Sequence, residues 1–215
     1  MQKFETNKLF FDQYSCKLNI TSPLSIIFRG NNLSYARKKL DKLQLEADAN
    51  QDLLLYPGTS FDKTVSLENF ETAKKLYQIF KTSDIQYKLR IEHPNISIYC
   101  NDCDWLVNIC KILNVQGELW EPNKAYVDLL ENNVLLVAND NGHKYRCTLS
   151  TNYHNQCNWL VSNQDKVKVG PVLLDCIKNN NCVEGLYFYV RDEKILQLIS
   201  LCGIKLRRVD RLVLK

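Results

Sequence analysis

The chain has 215 residues, of which 45% are hydrophobic and 24% charged, the composition of an ordinary globular protein. Its length suits one large domain or two small ones, and no apolar run approaches the roughly 20 residues that cross a bilayer. The net charge of +4 permits an anionic partner but is far below the basicity that identifies a nucleic-acid-binding protein by itself. Composition therefore excludes a membrane-spanning chain and leaves the function open.

The first half of the chain shows alternating strand and helix patterns. Period-two alternation up to Ile20 and the apolar run Leu24–Phe28 predict a pair of strands around the turn at Ser22 and Pro23. Helical spacing and capping residues predict helices after Asn32, after Ser66 and after Asp102 or Asp104. The remaining predicted strands are Leu53–Tyr56, Tyr87–Glu92, Ile96–Cys100 and Gly117–Trp120.

The second half continues in the same way, apart from residues 152–170, which give no clear prediction. The loop Asn139–Gly142 is typical of a hairpin turn and predicts that Val134–Ala138 and Lys144–Leu149 pair directly. Further helices are predicted after Pro122, after Pro171 and after Asp192, with strands over Leu186–Val190 and Lys205–Leu214.

A weak internal similarity links the two halves at an offset of 90 residues. Tyr99 aligns with Tyr189 and Asp102 with Asp192, each time in a strand, a capping residue and a helix. We predict an α+β fold of mostly antiparallel sheets with helices on one face. The similarity indicates either a duplicated strand–helix–strand unit or a pattern that any two such units share. The domain prediction is an N-terminal half over residues 1–121 and a C-terminal half over residues 122–215, with one continuous domain as the alternative.

Nine cysteines are present, an odd number that does not suit a complete disulfide framework. The N-terminal sequence has no long apolar stretch of the kind found in signal peptides. We therefore expect free thiols and a reducing, cytoplasmic location.

Cys100 and Cys103 form a C-x-x-C motif between a predicted strand and a predicted helix. This placement suits a thioredoxin-like site, but Asp102 and Asp104 would oppose a thiolate electrostatically. A structural zinc site would need a second ligand pair. The candidate second pairs are His143 with Cys147 and His154 with Cys157.

Motifs of known enzymes are missing from the sequence, including glycine-rich phosphate loops, the H-E-x-x-H zinc motif and the nucleophile elbow. Acidic side chains of the type that binds Mg²⁺ occur at Asp102, Asp104, Glu118 and Glu121. The first two are better explained as residues that begin a helix. We expect no catalytic residue, no metal and no cofactor, and an enzyme is the weakest of the alternatives.

Two basic segments are the best candidates for function. They comprise Arg37, Lys38, Lys39 and Lys42 on a predicted helix, and Lys205, Arg207, Arg208 and Arg211 on the last predicted strand. Bases could stack on tyrosines that face out of a sheet. The candidate tyrosines are Tyr14, Tyr87, Tyr99, Tyr187 and Tyr189.

These features predict a non-enzymatic accessory protein that binds RNA or DNA through a basic surface. The prediction requires the two basic segments to share one surface. The alternative is a structural or assembly subunit, for example a viral one, that binds other proteins or copies of itself. Neither hypothesis involves a membrane.

Overall fold

A computed structural model describes residues 1–49, 52–55, 64–150 and 154–215, without the side chains of 154–156. These residues form two compact units. Unit 1 contains Met1–Thr6 and Gln13–Asn123, and unit 2 contains Asn7–Asp12 and Lys124–Lys215. The short segment Asn7–Asp12 therefore belongs to the second unit although its neighbours on both sides belong to the first.

Unit 1 is a five-stranded sheet with helices on one face. Its elements are β1 (Gln2–Thr6), β2 (Cys16–Thr21), a 3-10 segment (Ser25–Asn31), α1 (Leu33–Asp48), α2 (Leu67–Thr82), β3 (Lys88–Glu92), β4 (Asn95–Cys100), α3 (Cys103–Leu113) and β5 (Gly117–Pro122). The strand order is β1-β5-β2-β4-β3, and within it only the β1–β5 pair is parallel. Alternate side chains such as Leu18, Ile98 and Leu119 are buried against the helices.

Unit 2 is built in the same manner. Its elements are a 3-10 turn (Val127–Leu129), β6 (Val134–Val137), β7 (Tyr145–Leu149), α4 (His154–Ser162), β8 (Val167–Val169), α5 (Pro171–Lys178), β9 (Tyr187–Val190), α6 (Glu193–Leu201) and β10 (Leu206–Leu214). The strand order is β6-β10-β7-β9-β8, and within it only the β6–β10 pair is parallel. The segment Asn7–Asp12 joins this unit partly through a 2.8 Å hydrogen bond from the Leu136 amide to the Asn7 carbonyl oxygen.

The two sheets have the same topology, with the first strand parallel to the last and the remaining neighbours antiparallel. The capping is also repeated. The Asp102 carboxylate accepts a hydrogen bond from the Trp105 amide, and Asp192 accepts one from the Ile195 amide, so each fixes the start of a helix. The α+β class and the internal similarity are confirmed.

Four local predictions are wrong. Leu53–Tyr56, of which Tyr56 lies outside the described residues, is not a strand and contains an isolated bridge from Leu54 to Thr64. Leu24–Phe28 is not a strand, since Leu24 precedes the 3-10 segment and the other residues lie in it. Leu24, Ile27 and Phe28 are buried together at a helical spacing. The helix after Pro122 is only the turn Val127–Leu129. The strands β6 and β7 do not pair directly, since β10 from the end of the chain lies between them.

The expectation that every cysteine is a free thiol is wrong for one pair. Cys16 and Cys103 form a disulfide, with a Cα–Cα distance of 5.7 Å. The antiparallel register places Cys16 opposite Cys100, and α3 begins three residues further on at Cys103. The seven remaining cysteines are reduced thiols. Among the described residues, none of the helices is both long enough and apolar enough to span a membrane.

Candidate functional site

The second sheet has two chemically different faces. Cys147, Phe188 and Val190 are buried on the face that α4, α5 and α6 cover. Because side chains alternate along a strand, Arg146, Tyr187 and Tyr189 project from the opposite face. We call that opposite side the open face.

A row of cationic and aromatic side chains crosses the open face. Tyr189 of β9 is paired with Lys168 of β8 on one side and with Arg146 of β7 on the other. Tyr187 stands two residues along β9, and its ring centroid is 5.6 Å from that of Tyr189. The Arg146 guanidinium carbon is 5.3 Å from the centre of the Tyr187 ring. We call Arg146, Lys168, Tyr187 and Tyr189 the platform.

The two platform tyrosines differ in accessibility. Tyr187 is 47% exposed, whereas Tyr189 is partly buried. Burial, followed by the neighbouring Tyr187, raises the pKa of the Tyr189 phenol. This phenol therefore stays neutral near neutral pH and puts no negative charge beside Lys168.

A buried carboxylate holds the platform arginine in place. Asp210 of β10 is fully buried and accepts a 2.7 Å hydrogen bond from Arg146 and another from Arg208. Burial alone would raise the pKa of the Asp210 carboxyl, but the two guanidinium groups outweigh it and lower that pKa. Arg208 also forms an ion pair with Asp12, at 2.6 Å. This cluster fixes the Arg146 side chain beside Tyr187.

The basic residues predicted on the last strand do not form one continuous face. The register of β10 shifts between Leu206 and Arg208, so Arg207 lies at an irregularity of the strand. Arg208 faces its two carboxylate partners and is largely enclosed. Lys205, Arg207 and Arg211 are exposed, and Arg211 contacts Glu131 at 3.5 Å.

The basic residues predicted on α1 lie on a helix that also carries acids. Arg37 contacts Asp41 at 3.5 Å, and Lys42 contacts Glu46 at 3.4 Å. The Lys39 ammonium lies 5.7 Å from the centre of the Tyr35 ring. Lys38 is exposed. This helix belongs to unit 1 and the last strand to unit 2, and their sharing of one surface stays a prediction.

The first sheet contains a row equivalent to the platform. Tyr99 is paired with Lys88 on one side and with Lys17 on the other. Lys17 is also paired with Trp120, and its ammonium lies 4.2 Å from the centre of that ring. Tyr99 is only 5% exposed. The first row therefore has the same arrangement of cations around a tyrosine, but the tyrosine ring is too buried to contact a ligand.

The other candidate tyrosines are also internal. Tyr14 is buried. Tyr87 stacks on Phe80 and on Trp105, with centroid distances of 5.0 and 5.6 Å. Only Tyr187 and Tyr189, of the five tyrosines selected from the sequence, lie on the open face.

The cysteine and carboxylate candidates do not come together as a site. Cys103 is in the disulfide, and burial raises the pKa of the Cys100 thiol to about 11. Glu118 accepts a hydrogen bond from Asn19, and Glu121 accepts one from Lys3. In the part of the chain that the structure describes, no three His, Cys, Asp or Glu side chains are grouped so as to hold a metal.

Neither proposed second zinc pair is formed by the described side chains. The His143 ring nitrogen Nδ1 donates a hydrogen bond to the Asn141 carbonyl oxygen at 2.7 Å. Cys147 is buried in the helix-covered core, where burial raises the pKa of its thiol to about 12. The side chain of His154 lies outside the described residues, and Cys157 is buried in the same core.

Sequence reasoning selected the two platform tyrosines but missed Arg146 and Lys168. Isolated basic residues in separate strands give no signal along the chain, because only the register of β7, β9 and β8 puts them beside Tyr189. The one available signal was alternation, since Arg146 follows an apolar–polar pattern that is typical of a half-buried strand.

Comparison with known proteins adds no relative. No family model matches the chain, and neither a curated protein nor a solved structure matches it.

Proposed function

We propose that this chain is a non-enzymatic protein that binds single-stranded nucleic acid on the open face of its second sheet. The observation that supports the proposal best is the row Lys168–Tyr189–Arg146, with Tyr187 beside it. Exposed aromatic rings on a sheet whose other face is covered by helices are a known arrangement for binding unpaired bases.

The platform supplies both interactions that such a ligand needs. A base stacked on an aromatic ring contributes roughly 1–3 kcal/mol regardless of its identity, and Tyr187 is exposed enough to offer a ring face. Lys168 is exposed beside Tyr189 and is positioned to neutralise a backbone phosphate. Stacking favours single strands, because the bases of a duplex are already stacked on each other.

The basic residues outside the platform belong to the proposal as a wider positive surface. Lys205, Arg207 and Arg211 are exposed on the same unit as the platform, and Lys38 is exposed on α1. Such contacts would add affinity without sequence preference and would weaken as salt rises. Arg208 is excluded from this role because Asp12 and Asp210 already neutralise it.

A fluorescence anisotropy titration of the full chain tests the proposal. The probes are labelled RNA and DNA oligonucleotides of about 12 nucleotides, a length within the range of single-strand sites. We expect Y187A and K168A each to weaken binding by about tenfold. The control is K75A, since Lys75 is an exposed lysine on α2 in the other unit. Absence of a complex at low ionic strength, or equal losses in all three variants, would contradict the proposal.

The second candidate function is assembly with a protein partner, and α6 favours it. Leu198 and Leu201 lie on that helix at 37% and 84% exposure, and large exposed apolar side chains that adjoin one another often mark a protein contact. Sedimentation velocity of the wild type and of L201S would separate the two hypotheses. A discrete oligomer that L201S dissociates, without any nucleic-acid complex, would favour assembly.

The cytoplasm is the compartment that we propose. The Cys16–Cys103 disulfide weighs against it, because structural disulfides are rare in reducing compartments. Fractionation of the source cells with a reducing-compartment marker would decide this point.

A further inference from the structure

A cavity of about 280 Å³ opens at the β8 edge of the second sheet. The residues that line it are His143, Gln164, Asp165, Lys166, Val167, Lys168, Val169 and Arg191. Three of them are permanent cations and one, Asp165, is a carboxylate. The lining is therefore positive overall, and a small anion is the ligand that it suits best.

The strand register explains why the cations meet there. β8 and β9 are antiparallel, with Val167 opposite Val190. Lys166 directly precedes β8 and Arg191 directly follows β9, so both lie at the same end of the strand pair. Lys168 is two residues from Lys166 and therefore projects from the same face.

His143 adds a group that can respond to an anion. Its Nδ1–H donates to the Asn141 carbonyl oxygen, which leaves Nε2 as the nitrogen available for a ligand. The His143 ring centroid is 6.1 Å from that of Tyr189, so the cavity adjoins the platform.

We propose that this cavity, which we call the phosphate pocket, binds the terminal phosphate monoester of the nucleic acid on the platform. The inference rests on the proposed function, because the platform supplies the neighbouring bases. A terminal phosphate is a dianion near neutral pH, whereas an internal phosphodiester has a single charge. Three cations in a small cavity match the dianion better, and the volume leaves room for little more than the phosphate and its sugar.

The test compares oligonucleotides of one sequence with a 5′-phosphate, with a 3′-phosphate, or with hydroxyl groups at both ends. The label is placed inside the strand so that both ends are free. We expect one of the two phosphorylated strands to bind about tenfold more tightly than the hydroxyl strand. R191Q should abolish that difference while leaving the affinity for the hydroxyl strand unchanged, and K75Q should leave both unchanged.

A second measurement uses inorganic phosphate and the imidazole NMR signals of the full chain. The chain has three histidines, and H143Q identifies the signals of His143. We expect phosphate to shift these signals in the wild type and not in R191Q.

The outcomes separate the two proposals. Equal affinity for all three strands, with no shift caused by phosphate, would overturn the pocket and leave the platform standing. A phosphate-induced shift without binding of any oligonucleotide would support an anion site while overturning the nucleic-acid function. If neither probe binds, both proposals fall.

Discussion

Tyr99 and Tyr189 occupy the same position in two sheets of identical topology, each paired on one side with a lysine of the edge strand and on the other with a cation of a central strand. The difference between them is burial, because Tyr99 is 5% exposed whereas Tyr189 is only partly buried and stands beside the exposed Tyr187. The tyrosine of this repeated row is therefore buried in unit 1 and partly exposed at the surface of unit 2.

This difference predicts opposite effects of the same substitution. Y99A should lower the free energy of unfolding by about 3 kcal/mol, because it removes a buried ring and leaves a cavity, without changing the affinity for nucleic acid. Y189A should cost less stability and weaken nucleic-acid binding about tenfold. Urea unfolding and anisotropy on the same preparations measure both. If Y99A weakens binding as much as Y189A while still folded, the assignment of roles is incorrect.

The buried carboxylate of Asp210, beside Arg146 of the platform, predicts a pH-dependent loss of stability. The pKa of Asp210 is lower in the folded chain than in the unfolded chain, so its contribution is complete above the ordinary range of aspartate. The contribution is lost as the pH falls through the folded-state pKa. D210N should lower the free energy of unfolding by about 3 kcal/mol at neutral pH, because Arg146 and Arg208 then lose their shared partner.

Urea unfolding of the wild type and D210N over a pH series checks this prediction. The difference in the free energy of unfolding between the wild type and D210N should decrease below about pH 4. If this difference is the same at every pH, the charge of Asp210 contributes nothing to stability.

The arginines of the last strand should separate into two classes. Replacing Arg207 and Arg211 together by glutamine should leave folding unchanged and reduce the slope of affinity against salt, by about one for each phosphate contact that is lost. R208Q should instead destabilise unit 2, because it removes the ion pairs of Arg208 with Asp12 and with Asp210. Salt titrations and thermal unfolding distinguish the two classes. A salt slope equal to that of the wild type in the double variant would exclude these arginines from the interface.

The buried thiols should be unreactive in the folded chain. Burial raises the pKa of Cys100 to about 11 and that of Cys147 to about 12, so alkylation of each near pH 8 should be slower than in urea by a factor of at least about 100. The exposed Cys182 is the internal control and should react in the folded chain. Peptide mass spectrometry after timed labelling gives the rates. Similar rates for Cys100 and Cys182 would contradict the burial.

The disulfide predicts a fixed thiol count. Alkylation of the unreduced chain in denaturant should add seven labels, and prior reduction should raise the number to nine. Reduction should also destabilise unit 1, because the bond closes a loop between residues 87 positions apart and a loop of that size is worth up to about 4 kcal/mol. Nine labels without reduction would show that the bond does not form.

Local patterns predicted most of the helices, because their caps are short-range signals. Ser66, Asp102 and Asp192 each accept a hydrogen bond from the backbone three residues on, as expected from their place before an apolar run. The prediction of a hairpin at residues 134–149 was wrong for the opposite reason. The strand that separates its two arms comes from the end of the chain, and no local pattern reveals such a partner.

Edge strands and the candidate site were also hard to predict, because their partners are distant in the sequence. Gln2–Thr6 was missed as a strand because it has little apolar alternation and pairs only with β5, far along the chain. The tyrosines of the platform were recognised as potential stacking residues, but the partners of Tyr189 depend on the register across three strands. The sequence segments with the densest positive charge, on α1 and β10, proved to contain many internal ion pairs.

The assignment of Asn7–Asp12 to unit 2 has a consequence for how the chain is made. During synthesis this hexapeptide is made long before its partners Leu136 and Arg208. Unit 2 can form the ion pair between Asp12 and Arg208 only after Arg208 has emerged. For the same reason, a fragment that begins at Lys124 would lack Asp12, the ion-pair partner of Arg208. Adding a peptide of Asn7–Asp12 to this fragment would restore the missing partner.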